Sequence, residues 1–148
     1  MRNGYMEAAL IEAKAALEAG EVPVGAAVVH KGEIIAAAHN EREALGDPTA
    51  HAEVLALRRA AKMLGKRRLN DCELYVTLEP CPMCAGAIVM ADVGSVYYGA
   101  ADPAAGCAGS VYALPEDPAF GKKIPCMGGL MEQPCKEILD QFFKEKRI

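Results

Sequence analysis

The chain has 148 residues, with 16 Lys and Arg against 20 Asp and Glu, for a formal net charge of -4 with the three His neutral. Hydrophobic residues make up 52% and charged residues 24%, enough apolar material for a single domain over residues 1–148 and too much for a disordered chain. Charges interrupt every apolar run well short of the ~20 residues of a membrane span, and the opening MRNGYMEAAL has no export-signal core, so a cytoplasmic chain with its six Cys reduced is expected.

From Tyr5 to Ala19 the positions Met6, Leu10, Ala13 and Leu17 follow helical spacing, and Gly20 stands where a helix ends. Gly25–His30 and Ile34–His39 are short apolar runs separated by Lys31-Gly32-Glu33, which predicts a hairpin, and residues 40–48 read as a loop. Thr49 is the expected N-cap of a helix from Ala50 to Leu64, closed by Gly65, with Val54, Leu57, Ala61 and Leu64 facing inward. Glu73–Leu78 reads as a strand, and Pro82 suits the first turn of a helix running to Ala91. Val96–Gly99 is a further strand, residues 100–118 a Gly- and Ala-rich connection, Lys123–Met127 a last strand despite Pro125, and Met131–Lys146 a closing helix. Helices alternating with strands after an opening hairpin predict an α/β fold, a three-layer αβα sandwich around a mixed sheet.

The acidic balance is uneven. Residues 1–50 carry four basic and eight acidic side chains, whereas Arg58, Arg59, Lys62, Lys66, Arg67 and Arg68 follow Glu53 with no acid between them. Such cations complement a helix C-terminus and keep one face solvated.

Cys81-Pro82-Met83-Cys84 places two thiols three residues apart at a helix start, where they can hold one ion and the positive helix end favours thiolates. A redox pair would need no distant histidine, and a structural zinc would need a fourth protein ligand. His51, opening another helix, makes three ligands, and the position left open for water marks a catalytic zinc rather than a structural one. Glu53 lies two residues on, about 200° round the helix from His51, so it is expected to face the substrate and shuttle a proton from water to a ring nitrogen and then to the leaving group. Taken singly, His51 reads as a helix residue and Cys81 and Cys84 as small core residues; it is the H-x-E and P-C-x-x-C combination that signals a zinc deaminase.

Val22-Pro23-Val24-Gly25-Ala26, the run from Asp47 to Glu53, the run from Thr77 to Ala87, and Gly99 to Ser110 closely resemble the bacterial tRNA-specific adenosine deaminases of the cytidine deaminase-like superfamily. The similarity runs from about Tyr5 to Arg147. It implies a central five-stranded sheet, one Zn2+ per chain, a homodimer, and deamination of the wobble adenosine in a tRNA anticodon stem-loop to inosine. It also implies that Asn40 hydrogen-bonds the base, that Val24 lines the pocket, and that Asp102 lies in a loop bordering the nucleic acid. Read by themselves, Asn40 and Asp102 are equally ordinary turn residues, and Ile138, Leu139, Phe142 and Phe143 read first as a packing stripe. Ala101, Ala104 and Ala105 stand where the family presents basic side chains, and Gly121-Lys122 where it commonly has Asn-His. RNA contacts are therefore expected from Lys144, Lys146 and Arg147, aided by Lys122 and Lys123. The alternatives are a deaminase of a free nucleobase or nucleoside, guanine or cytosine in type, which the acidic charge favours slightly, and a non-catalytic zinc-stabilised binding module.

Overall fold

The computed structural model describes residues 1–146. Five strands, β1 (Gly25–His30), β2 (Glu33–His39), β3 (Cys72–Leu78), β4 (Ser95–Ala100) and β5 (Cys126–Met127), form one sheet in the order β2-β1-β3-β4-β5. β1 pairs antiparallel with both β2 and β3, while β4 runs parallel to β3 and β5 parallel to β4. Helices α1 (Arg2–Glu18) and α5 (Glu132–Lys146) pack together on one side of the sheet; α3 (Ala52–Leu64) and α4 (Pro82–Ala91) pack together on the other. A short α2 (Arg42–Leu45) joins β2 to α3. This is the expected sandwich around a mixed five-stranded sheet. Five consecutive residues of β1, Gly25 to Val29, are buried because helices cover both faces.

The helices lie close to the sheet because the contact residues are small. The buried stripe of α1 is Met6, Ala9, Ala13 and Ala16, with Leu10 and Leu17 only half-buried beside it. At Gly25 the helix backbone meets the strand directly: a Cβ there would fall on the Ala9 carbonyl oxygen and lie 2.5 Å from the Ala13 nitrogen. Gly25→Ala is therefore expected to destabilise the fold by about 3 kcal/mol or more, lowering Tm by roughly 6–12 °C in a melt followed by circular dichroism.

α3 shows the same economy. Its fully buried positions are Ala52, Glu53, Leu55, Ala56, Leu57 and Ala60, so of the expected stripe only Leu57 is buried, while Val54, Ala61 and Leu64 are half-exposed. The helix also starts two residues later than expected. Asp47 Oδ1 accepts from both the Thr49 amide, at 2.8 Å, and the Thr49 hydroxyl, at 2.7 Å, which locks Thr49 into a turn and leaves His51 at the N-cap. The cap bond comes instead from a distance: Asn40 Oδ1 accepts from the Ala52 amide at 2.8 Å.

β5 is only two residues long, because Pro125 has no amide to give and the Ile124 amide bonds to the Pro115 carbonyl. The cations after Glu53 are exposed, and several have partners: Arg59 donates to the Ala37 carbonyl at 2.7 Å, Lys66 pairs with Asp71 at 3.1 Å, and Arg68 with Asp92 at 2.7 Å. On α5, Leu139 and Phe142 are buried as expected, Ile138 is half-buried, and Phe143 is 48% exposed.

Candidate active site

The N-termini of α3 and α4 converge at the C-terminal end of β3. His51 Nδ1 lies 3.6 Å from Cys81 Sγ and 3.5 Å from Cys84 Sγ, and all three donor atoms fall within 4.8 Å of one another. Zn–S bonds of ~2.3 Å and Zn–N bonds of ~2.0–2.1 Å at tetrahedral angles would set N and S about 3.6 Å apart, so the donor set fits one such ion. Cys84 is fully buried and Cys81 partly so. The hydrogen bond from Cys84 holds the Cys81 thiol down to about 4, while that same bond and burial push Cys84 well above the usual thiol range. Cys72, buried, and Cys126, half-buried, lie outside the triad and are pushed up to about 11 and 12 by loss of solvent, as befits inert thiols.

Beside the triad is a pocket of about 230 Å³, lined by Val22, Val24, Asn40, Arg42, Leu78, Asp102 and Ala105 together with His51, Glu53, Glu79 and Cys81. This is below the ~300–1,000 Å³ typical of sites for drug-sized ligands and suits a single base. Glu53 is only 4% exposed, and burial pushes its carboxyl up to about 7, where it can take and return a proton near neutral pH.

The other sequence candidates also reach this pocket. Asn40 lines it while donating to the Val22 carbonyl at 3.1 Å and capping α3, so it ties two pocket walls together. Val24 is 5% exposed and forms part of the apolar wall. Asp102 shows the turn chemistry read from its position: its Oδ1 accepts from the Ala104 and Ala105 amides at 3.1 and 3.2 Å. Phe143 stands close by, in a shallow depression shared with Asp102, Val22 and Lys136. Lys146 lies at another depression with Arg42 and Phe142, its Nζ 5.6 Å from the Phe142 ring. Arg147 lies outside the described residues.

Sequence reasoning missed Arg42, Leu78, Glu21 and Glu79. Glu21 is 3% exposed and accepts from the Glu43 and Ala44 amides, anchoring α2 and with it Arg42. Glu79 is 2% exposed and accepts from amides of the 102–110 loop. No periodicity marks either residue, since both bond to backbone more than 20 positions away.

A family model described as MafB19-like deaminase matches residues 2–147. The chain belongs to this deaminase family. Among its relatives, the tRNA-specific adenosine deaminase of Bacillus subtilis is 49% identical over 97% of this chain and 89% of its own length. That of Agrobacterium fabrum is 46% identical over 99% and 97%. A solved structure from a study of A-to-I editing by tRNA deaminases at the wobble position of transfer RNA superposes with a TM-score of 0.88 at 44% identity, covering 92% of this chain and 99% of that one. A guanine deaminase from Nitrosomonas europaea superposes with a TM-score of 0.83 at 25% identity, covering 96% and 84%. The family's cytidine deaminase-like fold is the sandwich described above, and the group of His51, Cys81 and Cys84 sits in it where a metal ion could be held. Among the described residues no helix is long and apolar enough to cross a membrane.

Proposed function

We propose that the chain is a zinc-dependent deaminase domain, spanning residues 1–148, that hydrolyses the wobble adenosine of a tRNA anticodon to inosine and ammonia. The observation that carries this reading is the base-sized pocket that Glu53 lines together with His51 and Cys81, whose donor atoms cluster with that of the buried Cys84 behind them. The names of relatives 46–49% identical over nearly the whole chain support tRNA as the substrate.

His51, Cys81 and Cys84 would hold the zinc, which supplies Lewis-acid activation of the attacking water. Glu53 takes the proton released by that water and hands it to the ring nitrogen, which lets the water oxygen bond to the carbon bearing the amino group. Glu53 then carries the second proton to that amino group, which leaves as ammonia. Val22 and Val24 exclude bulk water from the base face, and the second Nδ2 proton of Asn40 is available to the base. Asp102 and the exposed Phe143 border the pocket on the side from which the neighbouring nucleotides would enter. Lys144 and Lys146, exposed on α5, and Lys122 and Lys123, exposed before β5, carry charge suited to the anticodon-stem phosphates. The large apolar side chains left exposed on α3 (Met63), on α4 (Met90) and in the loop after β4 (Val111 and Tyr112) support assembly as a homodimer, which we place in the cytoplasm with its tRNA substrate.

An anticodon stem-loop RNA with adenosine at the wobble position should yield inosine and stoichiometric ammonia, while free guanine, cytosine, cytidine and adenosine should not react measurably. Rapid deamination of a free base with an unmodified stem-loop would replace this reading with a nucleobase deaminase. Truncation before Lys144 should raise KM for the stem-loop and flatten its salt dependence, by roughly one unit of log-log slope for each phosphate no longer neutralised, with zinc content unchanged.

A further inference from the structure

Glu79 is a buried carboxylate without a role in the chemistry above. It follows the last residue of β3 and immediately precedes Pro80 and Cys81. It forms no ion pair among the described residues, and its charge is met by neutral donors. Oε1 accepts from the Asp102 amide at 3.0 Å and from the Ser110 hydroxyl. Oε2 accepts from the amides of Ala108, at 3.0 Å, and Ser110, at 2.9 Å. Burying a carboxylate is costly unless its acceptor capacity is filled, and here the 102–110 loop fills it.

The loop is shaped around this group. A Cβ on Gly106 would collide with the Glu79 carboxyl carbon and lie 2.5 Å from Oε2, so the loop backbone rests against the carboxylate itself. The Cys107 amide donates to the Pro80 carbonyl at 2.8 Å, and the Gly106 amide to the Asp102 carbonyl at 2.8 Å, which closes the loop on the segment that carries the thiols. Asp102 and Ala105 of this loop line the base pocket together with Glu79.

We propose that Glu79 is a positioning residue whose carboxylate fixes the 102–110 loop as one wall of the base pocket, in register with the metal ligands two and five residues further on. The inference rests on the deaminase reading of the pocket. It assigns Glu79 an effect on how substrate is held rather than on proton transfer: the six residues from Glu79 to Cys84 set both the ligand positions and the distance to the facing wall. Misplacing such a wall by about 1 Å is enough to cost up to ~10²-fold.

The test uses purified, metal-loaded wild type, Glu79→Gln, Glu79→Asp and Ser110→Ala. In Glu79→Gln an NH2 group meets backbone amides that need an acceptor. Amide hydrogen exchange across residues 102–110 should speed up at least tenfold and KM for the anticodon stem-loop should rise roughly ten- to a hundredfold. Zinc content should be unchanged and kcat should fall by less than about threefold. Glu79→Asp, which keeps the charge on a shorter arm, should recover part of the KM, and Ser110→Ala should show a smaller change of the same kind. Unchanged exchange or unchanged KM in Glu79→Gln would overturn the proposal. So would zinc content, kcat and Tm falling together with no recovery in Glu79→Asp, because that pattern describes a fold staple. If the wild type leaves the stem-loop unmodified, the substrate reading fails separately, and loop exchange, with KM for whichever base is deaminated, decides the role of Glu79.

Discussion

Glu53→Gln is expected to keep its metal and its melting temperature while losing turnover by about 10²–10⁴-fold. The carboxyl is 4% exposed, lines the pocket beside His51 and Cys81, and is pushed up to about 7 by burial. An amide has the same shape and still hydrogen-bonds, so packing survives, but it neither accepts nor returns a proton at neutral pH. The measurement is single-turnover inosine formation alongside metal analysis of the same sample. Turnover within a few-fold of wild type would remove Glu53 from the reaction.

Cys84→Ser is expected to strip the metal and abolish activity. Loss of a residue that merely orients a metal ligand typically weakens affinity 10–100-fold, so loss of a ligand itself should exceed ~10²-fold. Metal analysis after dialysis should fall from about one zinc per chain to near zero, and Tm should fall with it, because a bound ion stabilises only the folded chain. Cys72→Ala, Cys107→Ala and Cys126→Ala should each retain the ion, since only Cys81 and Cys84 cluster with His51 among the described residues. Full zinc content in Cys84→Ser would defeat the ligand set.

The triad was legible because each part is local. Two thiols three residues apart behind a helix-starting proline, and a His two residues before a Glu at another helix start, need no long-range information. The succession of elements was legible in outline for the same reason, as a hairpin followed by strand–helix–strand, whereas the strand order β2-β1-β3-β4-β5 came only with the structure. Rotation of the helices was not, because α1 and α3 press alanines rather than leucines onto the sheet, and hydrophobic spacing weighs a leucine above an alanine that packs closer. The start of α3 was misplaced because Asp47 captures Thr49, and its cap comes from Asn40, twelve residues earlier than Ala52. Glu21 and Glu79 were invisible because their bonding depends on loops brought alongside only by the completed fold.

The order of the strands also constrains the order of events as the chain folds. β1 and β2 meet across a two-residue turn at Lys31 and Gly32, a closure that takes microseconds in isolated hairpins. β3 can join only by pairing Ala26 with Val76 across the whole α2–α3 segment, and β4 only after α4 has crossed back over the sheet. His51 stands at the start of α3, which lies against β1 and β2, and both thiols at the start of α4, which follows β3 on the same face of the sheet. Before the β1–β3 ladder closes, a nascent chain offers a passing cation two sulfurs and no imidazole. Capture of the proposed ion would therefore be a late, cooperative event, coincident with the slow non-local step of folding, and a chain stalled before it would hold an ion weakly and exchange it freely.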